Sequence, residues 1–184
     1  MQFAHDTELA LVEAAALVNT LSGTDEYLPD QAAFADFLAR HPYSGQILGT
    51  QQELESVRAL RPELRSLWEA PDRDAAALIV NRILAESDAR PYLTRHDEYD
   101  WHLHVTEPEA PLAQRIAAEA AMAFQDLIRM DQLGRLKICD ATDCDDVLVD
   151  LSKNQSKRFC ATGNCGNRMN VAAYRARRRQ PQTS

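Results

Sequence analysis

Helical periodicity through most of residues 5–133, a few short β-prone runs and four cysteines gathered near one end predict a mainly α chain of the α+β class. The expected organisation is a helical N-terminal domain with a small β-hairpin, residues 1–134, followed by a C-terminal module of hairpin and helix, residues 135–184. At 184 residues, 45% hydrophobic and 26% charged, the chain can bury a sizeable core. Six glycines and eight prolines exclude collagen-like and low-complexity architectures.

Asp6 is placed to cap a helix running through Leu9, Val12, Ala16 and Leu17 towards Thr20, with Gly23 beyond it. Asp30 is placed to cap Gln31 to Arg40, where Phe34, Phe37 and Leu38 share a face and Pro42 bounds the element. A third helix is expected from Gly49 to Ala70, with a break at Pro62 and an apolar stripe of Leu54, Val57, Leu60, Leu64, Leu67 and Trp68. Asp74 to Ser87 reads as a fourth. Pro91 to Thr94 and Tyr99 to Thr106 read as a β-hairpin, and Pro111 to Leu133 as the longest helix. Gly134 is the expected hinge into the C-terminal module.

The longest uninterrupted apolar run, Ala75 to Val80, falls far short of the roughly 20 residues that a membrane span needs. The first six residues lack the basic patch and apolar core of a secretory signal, so a soluble cytoplasmic protein with no membrane partner is expected. The net charge of −8 argues against a nucleic-acid partner until it is divided along the chain. Residues 1–150 hold all 28 carboxylates and 12 of the 20 basic residues, a balance of −16. Residues 151–184 hold Lys153, Lys157, Arg158, Arg168, Arg175, Arg177, Arg178 and Arg179 with no Asp or Glu, a balance of +8. An acidic body with a basic end suggests polyanion binding, although a tail docked on its own acidic body would have the same pattern.

Cys139, Cys144, Cys160 and Cys165 are the only cysteines, spaced C-x4-C-x15-C-x4-C. Two close pairs joined by a spacer that turns back suit a tetrahedral four-thiolate zinc site, with sulfurs about 2.3 Å from one metal. Without a signal peptide the thiols are expected to stay reduced, which disfavours two disulfides. Lys137-Ile138-Cys139 reads as a strand entering a knuckle whose turn is Asp140 to Asp143. Val147-Leu148-Val149 is the β-prone run of the spacer; Ser152 to Gln155 turns the chain, and Lys157-Arg158-Phe159 leads back to Cys160, so that one hairpin carries both ligand pairs. Gly163-Asn164 supplies the positive φ expected before Cys165, and Asn167 to Arg179 reads as a helix. With four sulfurs there is no open coordination position, so one structural zinc per chain is expected, not a catalytic one.

The best candidates for a catalytic or second metal site are His96, His102 and His104, near Glu98 and Glu107. His102 and His104 share one face of a strand, but no third ligand at a convincing spacing, no H-E-x-x-H and no Gly-rich phosphate loop accompanies them. The simpler reading is a half-exposed strand with Trp101, Leu103 and Val105 inward and the histidines outward. No enzyme is expected and no catalytic residue is assigned.

Cys165-Gly166-Asn167-Arg168 resembles the signature of the CGNR zinc finger, and Asp150-x-Ser152-x-Asn154-x-x-x-Arg158-Phe159-Cys160 resembles the segment that precedes it. Phe159 stands where Trp is usual, Val147 to Val149 lacks a bulky aromatic, and Asn170 replaces a common Lys. The resemblance implies four cysteines on zinc and a DNA-binding C-terminal module. The preceding chain, with Leu17-Val18-Asn19-Thr20 ending an apolar helix, resembles the ABATE domain, a family described as regulators of transcription under stress. The link to stress comes from that resemblance alone.

The expectation is therefore a zinc-containing regulator that binds double-stranded DNA through Lys153, Lys157, Arg158, Arg168, Arg175, Arg177, Arg178 and Arg179, with the helical body as sensor or dimerisation domain. At helical spacing Arg168, Arg175 and Arg179 share a face. Arg168 has a second role open to it, bonding to knuckle carbonyls or to the acidic loop of Asp140, Asp143, Asp145 and Asp146. Gly166 and Asn167 are read as supporting the metal site from behind the ligands, Asn167 as a cap. A homodimer and a small-molecule effector are compatible with the sequence, which identifies neither. A protein-interaction module with structural zinc and no nucleic-acid binding stays open as the alternative. RNA is less favoured, since Phe159 and Tyr174 are the finger's only stacking candidates.

Overall fold

The structure, a computed structural model, describes residues 3–95 and 100–179, with Ala176 and Arg179 described by their backbone alone. The chain runs α1 (His5–Val18), β1 (Leu21–Ser22), β2 (Asp25–Glu26), α2 (Gln31–Arg40), α3 (Gln51–Trp68), α4 (Arg73–Glu86), β3 (Tyr92–Thr94), β4 (His102–His104), α5 (Leu112–Arg129), β5 (Leu136–Ile138), β6 (Val147–Val149) and α6 (Cys165–Arg179). The strands form three antiparallel pairs, β1 with β2, β3 with β4 and β5 with β6. This is the mainly α architecture with small β elements that the periodicity predicts.

Three helix starts follow from local chemistry. Asp30, Thr50 and Asp72 each accept a hydrogen bond from the backbone N–H three residues on, satisfying a donor that the helix leaves open. α1 departs from expectation: its N-cap is Ala4, and Asp6 lies inside the first turn. There it accepts from the Thr7 N–H at 2.8 Å and from the Leu103 N–H at 3.3 Å, tying the helix start to β4. Pro62 does not break α3, which continues to Trp68. A proline removes the donor that would reach the carbonyl of residue i−4; here Arg61 Nε donates to the Arg58 carbonyl at 3.2 Å and fills that vacancy. The β1–β2 ribbon, around Gly23 at φ +56°, has no counterpart in the sequence expectations.

α5 packs against α1, α3 and α4, and the core between them holds Leu11, Phe34, Leu54, Leu64, Ile83, Phe124 and Leu127. Trp68 meets Phe124 edge-on, with ring centroids 5.0 Å apart. Val147 and Val149 of β6 belong to the same core, so the C-terminal hairpin is built into the helical body. β6 is buried at every position, yet β5 pairs with only one of its edges. The side chain of Asn19, just after α1, pairs with Val147 on the other edge. Its Oδ1 accepts from the Val147 N–H and its Nδ2 donates to the Val147 carbonyl, both at 2.8 Å and buried. Trp68 Nε1 donates to the Leu148 carbonyl at 3.0 Å, and Arg65 donates to the Asp145 carbonyl at 3.0 Å.

Asn19→Leu leaves the Val147 N–H and carbonyl buried without partners, at a cost of about 3 kcal/mol or more. Urea unfolding of the variant against the parent chain is expected to show that loss. Asn19→Asp, which buries a charge and sets a carboxylate oxygen against the Val147 carbonyl, is expected to lose at least as much.

Candidate metal centre and basic helix

The four cysteines reach one point from four local structures. Cys139 follows β5, Cys144 closes the knuckle turn, Cys160 ends the return segment, and Cys165 opens α6. All four Sγ atoms lie within 4.8 Å of one another, and three of the residues are buried. Two of the separations are 3.7 Å, between Cys144 and Cys160, and 3.6 Å, between Cys160 and Cys165. A tetrahedron with Zn–S arms of about 2.3 Å has edges of about 3.8 Å, so the sulfur cage has the size of a zinc tetrathiolate. The cysteines are free thiols with no disulfide among them. Among the described residues this is the only cluster of three or more potential metal ligands.

Backbone donors support the cage. The Asp146 N–H faces Cys144, the Gly163 N–H faces Cys160, and the Cys160 N–H points to Cys139 Sγ at 3.4 Å. Asn164, at φ +51°, makes the left-handed turn before Cys165. Burial pushes the Cys160 thiol up to about 11 and raises Cys144 as well, whereas the Arg168 guanidinium, donating to Cys165 Sγ at 3.1 Å, pulls Cys165 down. A divalent cation deprotonates coordinating thiols outright, so bound zinc overrides the cost of burying thiolates here.

The hairpin differs in one respect from the sequence expectation. β5 and β6 flank the first knuckle alone, and residues 157–159 return beside them without forming a strand, held by the Asp140 N–H donating to the Arg158 carbonyl at 2.9 Å. The second cysteine pair thus lies outside the hairpin. Asp150, fully buried, organises this return: it pairs with Lys137 Nζ at 2.6 Å and accepts from the Ser152 and Lys157 N–H groups at 3.0 and 2.8 Å. Although burial opposes the charge, these donors prevail and hold its carboxyl down to about 2. The sequence reading missed Asn19, Arg65, Trp68 and Lys137 as supports of the module, since each acts on backbone or on a residue distant in sequence.

The cations separate into two groups. Arg168 forms an ion pair with Asp143 as well as its bond to Cys165, and Arg158 pairs with Asp140 at 2.7 Å while lying over the Phe159 ring. Lys153, Lys157, Arg175 and Arg177 are exposed and make no ion pair with a described residue. Arg178 lies over the Tyr174 ring with 5.9 Å to its centroid. The side chain of Arg179 falls outside the described residues. A Cβ on Gly166 would meet the Phe159 ring at 3.4 Å, so this glycine allows the ring to lie close to the helix start. Asn167 is exposed in the first turn of α6, without a side-chain hydrogen bond to a described residue.

His96 and Glu98 lie outside the described residues. His102 and His104 share one face of β4, with their Nε2 atoms 3.1 Å apart. The expected alternation of this strand is inverted at two positions. Trp101 and Leu103 are 63% and 43% exposed, the histidines are half-buried, and Val105 alone of the three apolar residues is inside. The histidine face turns inward because α1 and α5 lie beneath it, where His102 faces Glu119.

A family model for the CGNR zinc finger matches residues 135–178. A second, ABATE, described as "Putative stress-induced transcription regulator", matches residues 13–131, more than half of the chain. Neither is an enzyme family. No curated protein matches the chain. Among the described residues no helix is long and apolar enough to cross a membrane.

Replacing Cys160 with Ser is expected to abolish stoichiometric zinc, measured by metal analysis after dialysis. Because β6 lies in the common core, the same variant is expected to lower the thermal midpoint of the helical signal in circular dichroism, not of the finger alone.

Proposed function

Because the chain belongs to the ABATE family and carries a CGNR zinc finger, we propose that it is a zinc-containing transcriptional regulator that binds duplex DNA through a module spanning residues 135–184. Residues 1–134 form its sensing or dimerising domain. The observation that carries this reading is α6. The helix is anchored at its first residue by Cys165 and partly at Met169, and it presents an exposed basic surface with no carboxylate along its length.

Arginine suits such a surface, since its planar fork donates two hydrogen bonds to a phosphate or to the O6 and N7 of guanine. Zinc sets the direction of α6 by fixing its first turn. Arg175, Arg177, Arg178 and Arg179 then supply phosphate contacts, joined by Lys153 and Lys157 from the return segment. Arg158 and Arg168, engaged with Asp140 and Asp143, hold the knuckle in shape and contribute less to DNA. The charge of −16 on residues 1–150 repels the duplex outside this surface, which keeps non-specific affinity modest and favours a defined approach. A cytoplasmic location accords with this role. The protein-interaction alternative draws on Val171 and Tyr174, exposed on the same helix.

Fluorescence anisotropy of the zinc-loaded chain on duplex DNA across a salt series tests the reading. If five of these six cations contact phosphate, the slope of log K against log salt is about −4.5. Ending the chain at Asn170 is expected to abolish it. Arg175→Ala should lower the slope by about 0.9, whereas Arg168→Ala should act mainly through zinc retention. Absence of binding at low salt overturns the DNA reading and favours a protein partner.

A further inference from the structure

Between the first turns of α1, the inward face of α5, residues 42–44 and β4 lies a cavity of about 490 Å³, within the range of small-molecule sites. We propose that this cavity binds a small organic cation, an amine carried on an apolar body. The inference gives the sensing half of the proposed function a ligand class, and it stands or falls independently of DNA binding.

The walls are mostly apolar, with Leu9, Leu93, Val105, Ile116 and Met122 among them. The charged lining is one-sided: Asp6, Glu13, Asp100, Glu119 and Asp126 line the cavity, and no Lys or Arg does so among the described residues. Most of these carboxylates have work elsewhere. Glu13 pairs with His41 at 2.6 Å, Asp126 accepts from the Thr7 hydroxyl at 3.0 Å, and Asp6 accepts from two backbone N–H groups. Glu119 makes no hydrogen bond or ion pair with a described residue. It stands two turns before Asp126 on the cavity face of α5, and burial pushes its carboxyl pKa up despite Arg115 and His102 nearby. A ligand ammonium would supply the direct ion pair that Glu119 lacks among the described residues.

The second observation is the Tyr43 hydroxyl, which is buried without a hydrogen-bond partner among the described residues. Burial, with Glu13 and Glu119 close by, raises its pKa and keeps it protonated, so its oxygen can accept from an ammonium. Tyr43 adds an aromatic face, which attracts cations; the Trp101 ring, largely exposed, already has the Arg95 guanidinium 5.4 Å from its centroid.

An anionic ligand is less well served. The start of α1, which would attract one, is already occupied by Asp6. Three histidines also line the cavity, but the 3.1 Å contact between His102 and His104 requires one ring to donate and the other to accept, so the pair cannot present two positive charges. Arg115, the nearest arginine on α5, directs its guanidinium to the Ala110 and Gln46 carbonyls.

Isothermal titration of the zinc-loaded chain with 4-phenylbutylamine, 4-phenylbutanol and 4-phenylbutyrate tests the class, since the three probes share one body and differ in charge. The amine is expected to bind at least about tenfold tighter than the alcohol, with the carboxylate weakest. Glu119→Gln, with folding checked by circular dichroism, should bring the amine to the alcohol's affinity. Ala10→Phe, which fills the cavity from α1, should abolish binding of the amine. Equal affinity for the three probes, preference for the carboxylate, no binding at millimolar concentration, or an unaffected Glu119→Gln variant overturns the proposal. Should Glu119→Gln fail to fold, the three-probe comparison on the parent chain still decides. DNA affinity from the salt series is read separately, so failure of one reading leaves the other measurable.

Discussion

The structure turns on a buried strand edge. β6 has one edge paired with β5, and the other faces the helical body, where an unpaired N–H or carbonyl would cost as much as a lost hydrogen bond. Asn19 resolves this with a side-chain amide that copies the pairing of a neighbouring strand, one donor and one acceptor to the same residue. Cys139 and Cys144 hang from the loop that joins β5 to β6, so this half of the metal site inherits its position from the contact of β6 with α1. The small sulfur cluster, with Ala141, Leu148, Phe159 and Met169 around it, has too little apolar surface to stand alone. Metal binding and packing on the body together stabilise it.

Electrostatics divides the basic end by function. Acidic residues of the first knuckle neutralise Arg158 and Arg168 across the metal site and link sequence-distant loops around the cage. Lys153, Lys157, Arg175, Arg177 and Arg178 are exposed along the 153–157 turn and α6. Exposed ion pairs contribute little to stability, so the value of the Arg168 contact lies in its second bond, to the Cys165 sulfur. That donor favours the thiolate, and zinc requires the thiolate. A net charge of −8 thus conceals a molecule whose two signs occupy different places and meet at the knuckle.

The body is more than a support. α1 walls the cavity with Ala10 and Glu13 and, one to two turns later, presents Asn19 to β6. α5 lines the cavity on one face and the common core on the other. Of the polar groups in the cavity, Asp6 and Glu13 lie on α1, which also leads to Asn19, and the inverted alternation of β4 places two histidines along the cavity.

Sequence alone determined the features set by local chemistry. Cysteine spacing predicted the zinc cage because thiolates have few other uses at that spacing in a reduced chain. Caps at Asp30 and the left-handed Asn164 follow from interactions spanning one turn, and the helices of the core follow from their apolar stripes. What depended on distant partners was not legible. Pro62 reads as a helix breaker until Arg61 fills the open carbonyl; Asp6 reads as a cap until β4 draws it inward; Trp101 reads as core until α1 and α5 prefer the histidine face. Asn19 reads as an ordinary helix end, since its partner lies 128 residues away. Local rules act through backbone geometry within a few residues. Tertiary structure decided the rest because a buried polar group must find its partner wherever the fold brings one.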